Sequence, residues 1–177
     1  VERLNSAARV LELACGLATG LARIAQAYPS VTLVGVDWDA HSLQLAADNL
    51  RQAGVQGRVS LIQSTLEAIE ASEEYDVALI NISMHECRDI DRVTTNVHRA
   101  LKPGGYFVIS DFPFPDSVEA CRTVPARVMC GIQFFEALIG DQLLPTAVFE
   151  HLLKRHGIRD VASFELSPVH AVIYGQK

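Results

Sequence analysis

Short apolar runs alternate along the chain with longer amphipathic segments, and small or polar residues separate them. The apolar runs predict strands at 8–14, 31–37, 58–63, 75–81 and 106–111. The segments between them predict helices at 17–28, 40–53 and 90–101, and a short helical turn at 66–70. Because strands and helices alternate, the pattern predicts an α/β domain with a doubly wound, mostly parallel sheet.

The alternation breaks after the fifth predicted strand. An apolar corner rich in phenylalanine and proline at 112–115 precedes one or two helices over 118–139, whose apolar side chains are expected to be mostly core: Met129, Phe134, Phe135 and Leu138. A helix at 145–155 and strands at 161–166 and 170–174 complete the chain. The link between those last strands is too short for anything but an antiparallel hairpin, which brings the predicted sheet to seven strands.

Length, composition and charge narrow the functional classes. The 177 residues fit one domain, 1–177, with 49% apolar and 20% charged residues. The net charge of −6 and the lack of a basic cluster favour a small-molecule partner over nucleic acid. No apolar run is long enough to span a membrane and nothing resembles a signal peptide, so we expect a cytoplasmic protein without a membrane partner. The four cysteines show no metal-ligand spacing, so no metal site is predicted.

The segment 10–20, VLELACGLATG, predicts a strand, a turn of small residues and the start of a helix. Such a turn lets the backbone approach a ligand at the carboxyl edge of the sheet. A second apolar strand ends in Asp37, 21 residues beyond Gly16, close to the spacing at which an acid reaches a ribose diol. Asp37 could instead cap the next helix, but Asp39 is equally suited to that role, so the ribose interpretation is favoured.

The turn departs from the glycine pattern of dinucleotide-binding proteins, since Ala14, Gly16 and Thr19 occupy its three positions. Glu12 would repel a pyrophosphate and attract a ligand that carries a sulfonium and an amino group, as S-adenosylmethionine does. The segments 12–20, 34–39, 75–87 and 100–112 resemble the class I S-adenosylmethionine-dependent methyltransferases. The likeness is greatest to the catalytic domain of winged-helix-type O-methyltransferases, whose Rossmann-like methyltransferase fold agrees with the predicted sheet.

The resemblance assigns a set of residues to the S-adenosylmethionine site: Glu12, Ala14, Cys15, Gly16, Ala18, Asp37, Trp38, Ser64, Thr65 and Asn81. Glu12 matches the acid near the methionine portion, and Asp37 matches the ribose acid. Alanine is tolerable in the turn if its backbone φ angles stay negative. Trp38 either lies against adenine or packs at the strand end. Ser64 and Thr65 stand where relatives often place an acid that binds the adenine amino group.

The resemblance also implies the chemistry. Methyl transfer is an in-line displacement in which positioning supplies much of the catalysis. A phenolic acceptor, with a pKa near ~10, benefits from a general base. His85 matches the catalytic histidine of a His-Asp-Trp-like stretch, while Glu86 lengthens its acid and Cys87 replaces its aromatic residue. His85 is therefore predicted to be either the base or a wall of the pocket, and Asp111 to touch substrate or orient His85.

The sequence thus predicts methyl transfer to a hydroxyl oxygen of a small, partly aromatic metabolite. Two alternatives stay open: a non-catalytic nucleotide-binding or assembly domain of this fold, and a nicotinamide-dependent oxidoreductase. The resembled family commonly forms homodimers and places a helical region ahead of the catalytic domain. Because residues 1–6 offer about one helical turn, we expect that such an N-terminal region is missing from this sequence.

Overall fold

The computed structural model describes Leu4 and residues 7–177. Seven strands form one sheet: β1 Arg9–Leu13, β2 Thr32–Asp37, β3 Val59–Gln63, β4 Tyr75–Asn81, β5 Leu101–Asp111, β6 Arg159–Ser167 and β7 His170–Gln176. Their order is β3-β2-β1-β4-β5-β7-β6. Strands β1 to β5 pair in parallel, and β7 is antiparallel to both of its neighbours. The predicted fold class is confirmed, while the helical turn predicted over 1–6 falls largely outside the described residues.

Five helices connect the strands: α1 Thr19–Ala27, α2 Ala40–Gln52, α3 Ile90–Ala100, α4 Val124–Ile139 and α5 Thr146–Arg155. Single 3-10 turns lie at Gln56–Arg58, Leu66–Ala68 and Ala120–Arg122. None of these helices has the length and apolar character needed to cross a membrane. The predicted elements are present, and most of their ends agree with the prediction to within two residues.

The start of β5 is the clearest boundary error. The sequence predicts a strand from 106, but β5 begins at Leu101, directly after α3. Its early residues have backbone partners: Leu101 pairs with Tyr75, and Gly104 and Gly105 exchange hydrogen bonds with Lys177. The proline and glycines that were predicted only to end α3 therefore lie within the strand.

Apolar residues pack on both faces of the sheet. One cluster includes Phe107 and Phe149, and the other includes Leu21 and Leu33, all fully buried. The alternating α/β connections place helices over both faces. The carboxyl ends of β1, β2, β4 and β5 consequently meet along one edge, where the loops that follow them converge.

Helix α4 does not bury the residues expected of it. Met129 is buried as predicted, but Phe134, Phe135 and Leu138 are 63%, 68% and 70% exposed, so the core prediction is wrong for these three. Only one stripe of α4 meets the rest of the described domain, through Met129 and, farther along, Glu136. The opposite face of the helix consequently stays at the surface.

Candidate active site

A cleft of about 560 Å³ lies at the carboxyl edge, within the size range of ligand sites. Seven residues of the predicted site line it: Ala14, Gly16, Asp37, Trp38, Ser64, Thr65 and Glu86. The other five do not line it. Glu12, Cys15, Ala18 and His85 are buried beneath the edge, and Asn81 is exposed at the end of β4.

Asp37 joins the end of β2 to the turn after β1. One carboxylate oxygen accepts the Gly16 N–H at 2.8 Å and the other accepts the Asp39 N–H at 2.9 Å. Asp39, not Asp37, caps α2, by accepting N–H groups from His41 and Ser42. The capping alternative for Asp37 is therefore wrong. Each carboxylate oxygen keeps a further lone pair, so Asp37 can also accept hydrogen bonds from a ligand diol in the cleft.

The small-residue turn has left-handed backbone at three positions. The φ angles are +50° at Ala14, +48° at Gly16 and +55° at Ala18, so the expectation of negative φ at the alanines is wrong. Two backbone hydrogen bonds fix this shape, from Cys15 N–H to Val36 at 3.1 Å and from Ala18 N–H to Cys15 at 2.8 Å. A left-handed alanine costs about 1–2 kcal/mol, so the rest of the fold must hold the turn in place.

Glu12 is a buried carboxylate, 7% exposed. Burial raises its pKa to about 7, although the Leu21 N–H, which it accepts, acts in the opposite direction. Its Oε2 atom has no hydrogen-bond partner among the residues that the structure describes. A Cβ atom at Gly20 would collide with the other carboxylate oxygen, so glycine is needed beside it.

Cys15 belongs to the packed core beside this turn, 8% exposed. Burial, together with the negative charges of Glu12 and Asp37, raises the pKa of its thiol to about 12. The thiol therefore stays protonated near neutral pH, and its sulfur is a poor nucleophile. Cys15 supports the turn from below by packing.

These features fit S-adenosylmethionine. The orphaned oxygen of Glu12 suits a cationic group, since a buried carboxylate needs a donor or a cation. Asp37 suits the ribose diol. Trp38 lines the cleft and is 73% exposed as a residue, so it is not packed at the strand end and is accessible to an adenine ring. Ser64 and Thr65 bring hydroxyl and backbone groups to the same end of the cleft.

His85 follows β4 and is held by Asp111 at the end of β5. The His85 Nδ1 atom lies 2.7 Å from one Asp111 oxygen, and the other oxygen accepts the His85 backbone N–H at 3.3 Å. The Phe112 N–H also donates to Asp111, at 2.8 Å. The structure therefore brings Asp111 into position to orient His85. Because a carboxylate only accepts, Nδ1 carries the proton in the neutral imidazole, and Nε2 then presents its lone pair.

Burial lowers the pKa of His85, but the hydrogen bond and charge of Asp111, with the charges of Glu86 and Glu136, outweigh it and raise the pKa above its ordinary value. The His85 side chain is only 1% exposed. Its Nε2 atom faces Glu136 of α4, with 3.9 Å between Nε2 and Oε2. His85 thus lies just behind the cleft, which Glu86, its neighbour in sequence, lines directly.

Several polar residues at this site are not among those predicted from the sequence. Glu67, Arg88 and Asp141 line the cleft, and Glu136 faces His85. Arg88 pairs with Asp141 at 3.0 Å and donates to the Gly140 carbonyl at 2.8 Å, which ties the loop after β4 to the end of α4. Glu67 and Arg88 could have been found from sequence, because each lies two residues beyond a predicted site residue, Thr65 or Glu86.

A family model for a methyltransferase domain matches residues 4–157. The ubiquinone/menaquinone biosynthesis C-methyltransferase UbiE of Geobacter sp. (strain M21) is 29% identical over 192 residues, which cover 97% of this chain and 79% of that protein. The U6 snRNA (guanine-N(2))-methyltransferase THUMPD2 of Bos taurus is 34% identical over 111 residues, or 60% of this chain and 22% of that protein.

Among solved structures, an O-methyltransferase family protein from Burkholderia thailandensis superimposes with a TM-score of 0.84 at 21% identity, over 96% of this chain. The match covers 51% of that structure, so the chain spans about half of its length. At this identity the superposition speaks for the fold alone. With the family match over most of its length, the chain belongs to the methyltransferase-domain family, as a class I S-adenosylmethionine-dependent methyltransferase.

Proposed function

We propose that this chain is the catalytic domain of an enzyme that methylates a hydroxyl oxygen of a small, partly aromatic molecule. The observation that carries the proposal is the Asp111–His85 pair, which lies beside the cleft at the carboxyl ends of β4 and β5. It provides a buried histidine of fixed tautomer next to the residues that fit the cofactor.

Three side chains are proposed to hold the cofactor. Asp37 accepts the ribose hydroxyls, Glu12 balances the positive charge of the methionine portion, and Trp38 covers adenine. Bound S-adenosylmethionine supplies an electrophilic methyl group on a sulfonium. The protein's remaining task is to bring the acceptor oxygen into line and to remove its proton.

His85 is proposed to accept that proton at Nε2. Asp111 keeps Nδ1 protonated and stabilises the imidazolium that forms, as a buried carboxylate does for a histidine base. The raised pKa of His85 strengthens it as a base toward a phenol. Glu86 lines the cleft and the Glu136 side chain is 17% exposed, so we expect the acceptor to approach Nε2 between them. General bases of this kind contribute about 10²–10⁴-fold to rate.

A carbon acceptor is the second candidate, because the UbiE relative, named as a C-methyltransferase, matches 97% of the chain. Removing the proton from a phenol also makes its ring carbons more nucleophilic, so the same base serves both outcomes. An RNA acceptor is disfavoured. The net charge is −6, and four carboxylates line the cleft together with Arg88: Asp37, Glu67, Glu86 and Asp141.

Calorimetric titration with S-adenosylhomocysteine tests the cofactor site. We expect Asp37→Ala to weaken binding by at least about tenfold, since a buried charged acceptor contributes about 1.5–3 kcal/mol. Asp39→Ala is the matched control: it removes an aspartate two residues away, costs α2 its cap and should leave the affinity near wild type. A wild-type chain that does not bind S-adenosylhomocysteine would contradict the proposed function.

Methyl transfer to a panel of phenols and quinols tests the acceptor. Mass spectrometry of the product assigns the methyl group to oxygen or carbon. We expect His85→Ala to reduce turnover by at least about 10²-fold, and His151→Ala, on the exposed side of α5, to have no effect. Near wild-type turnover by His85→Ala would end the base hypothesis. Homodimer formation stays a prediction, which sedimentation of the purified chain can test.

A further inference from the structure

Three potential metal ligands converge at the edge of the cleft: His85 and Glu86 from the loop after β4, and Glu136 from α4. One ligand atom from each lies within 4.8 Å of the other two. Glu136 is 51 positions from His85 in the sequence, so only the placement of α4 across the carboxyl edge brings them together.

Two of these atoms are buried without a hydrogen bond. Neither His85 Nε2 nor Glu136 Oε2 has such a partner within the described part of the chain. They face each other at 3.9 Å, and the His85 side chain is 1% exposed. An unsatisfied buried polar group costs about 1–3 kcal/mol. A lone pair and a carboxylate oxygen that face each other are both satisfied by a cation placed between them.

Asp111 prepares His85 for such a cation. It accepts the Nδ1 proton at 2.7 Å, which directs the Nε2 lone pair toward Glu136. A carboxylate behind a ligating histidine is the usual outer contact of protein metal sites, where it fixes the tautomer and raises the basicity of the imidazole.

We propose that His85 Nε2, Glu86 and Glu136 bind a divalent first-row transition metal, with Zn²⁺ as the best fit. One imidazole and two carboxylates form a mixed nitrogen and oxygen set that neutralises a charge of +2. Zinc ligands at about 2.0–2.2 Å from the metal stand roughly 3.3 Å apart, so the ligand atoms, which lie within 4.8 Å of one another, need to approach by up to about 1.5 Å. Mg²⁺ prefers oxygen ligands alone and should bind more weakly.

The proposed metal site rests on side-chain geometry and does not require methyl transfer, but it affects the proposed function. One lone pair on Nε2 cannot accept a proton and ligate a metal at the same time, so bound Zn²⁺ prevents His85 from acting as the base.

Calorimetric titration of chelator-treated protein with Zn²⁺ or Mg²⁺ tests the site. We expect one Zn²⁺ per chain, bound at least tenfold more tightly than Mg²⁺. Glu136→Gln should weaken Zn²⁺ binding by at least tenfold. The matched control Glu119→Gln alters an exposed glutamate outside the cluster and should change the affinity by less than twofold. The visible spectrum of a Co²⁺-loaded sample reports the ligand geometry independently.

Glu86→Gln provides a second variant, because Glu86 is exposed and its replacement should leave the fold intact. The proposal is overturned if the wild type does not bind zinc. It is also overturned if Glu136→Gln and Glu119→Gln bind zinc equally well, which would place the metal elsewhere, for example on the cysteines. A parallel titration with S-adenosylhomocysteine separates the two hypotheses. Retained S-adenosylhomocysteine binding without zinc binding rejects the metal site alone.

Discussion

Replacing Glu12 with glutamine should remove the loss of stability that this buried carboxyl group causes as the pH rises. Glu12 is 7% exposed, and burial raises its pKa from 4.5 to about 7. The Leu21 N–H partly compensates for the burial, and Oε2 has no hydrogen-bond partner among the described residues. Glutamine has nearly the same shape, keeps a carbonyl acceptor for Leu21 and carries no charge at any pH.

Ionisation of Glu12 should destabilise the folded domain, because folding raises the pKa of its carboxyl group. A carboxyl group whose pKa is raised by folding binds a proton more tightly in the folded state, so ionisation opposes folding. The destabilisation that Glu12 causes is absent below about pH 4.5, grows as the pH rises toward 7 and is constant above pH 7. A pKa difference of one corresponds to about 1.4 kcal/mol, so the shift from 4.5 to about 7 amounts to about 3 kcal/mol.

Urea unfolding of wild type and Glu12→Gln near pH 4.5 and pH 8 measures this difference. The variant should have nearly wild-type stability at the lower pH and exceed it by up to about 3 kcal/mol at the higher pH. Glu70→Gln, at an exposed position, is the matched control and should show no such divergence. If the offset between Glu12→Gln and wild type is the same at both pH values, Glu12 is not a buried acid with a raised pKa.

Two further predictions concern the turn and the histidine. Ala14→Gly should stabilise the domain by about 0.5–1 kcal/mol, because relief of about 1–2 kcal/mol of left-handed strain exceeds the cost of the extra entropy of glycine in the unfolded chain. Ala18→Gly should stabilise it less, because this change also removes a fully buried methyl group. Thermal unfolding of the two variants measures the difference. Asp111→Asn should destabilise the domain by about 3 kcal/mol and lower the pKa of His85, as measured by urea unfolding and NMR titration. Because folding raises the pKa of His85, the stabilisation that comes from its protonated form is largest below about pH 6.5 and is lost as the pH rises through the pKa of the folded state. A His85 titration that is unchanged in Asp111→Asn would contradict the assigned pairing.

The sheet was predictable because its signal is local. Each buried parallel strand is a short apolar run, and the alternation with amphipathic helices fixes the winding. Helix α4 was harder, because its apolar residues have the period of a core helix. Whether Phe134 and Phe135 are buried depends on what lies against them, and the described domain places nothing over that side of α4.

The residues of the candidate site were likewise predictable only where the sequence signal is local. Asp37 and Gly16 were predicted from their spacing, and the structure joins them by a hydrogen bond of 2.8 Å. Asp111 was predicted to touch substrate or to orient His85, because it ends the fifth strand at the carboxyl edge, and the structure places it against His85. Glu136 could not be predicted, because no local pattern places a residue of α4 against the loop after β4.

Backbone strain and buried charged side chains concentrate at the same carboxyl edge of the sheet. Three non-glycine residues with positive φ lie there, Ala14, Ala18 and Ile82, at +50°, +55° and +52°. Ile82 is the least expected, since a branched side chain rarely adopts this conformation. Its N–H donates to the Ser110 carbonyl at 2.7 Å, which holds the bend that turns the chain from β4 toward His85. A relaxed strand would carry His85 away from Asp111, so the strain is retained where it assembles the buried pair.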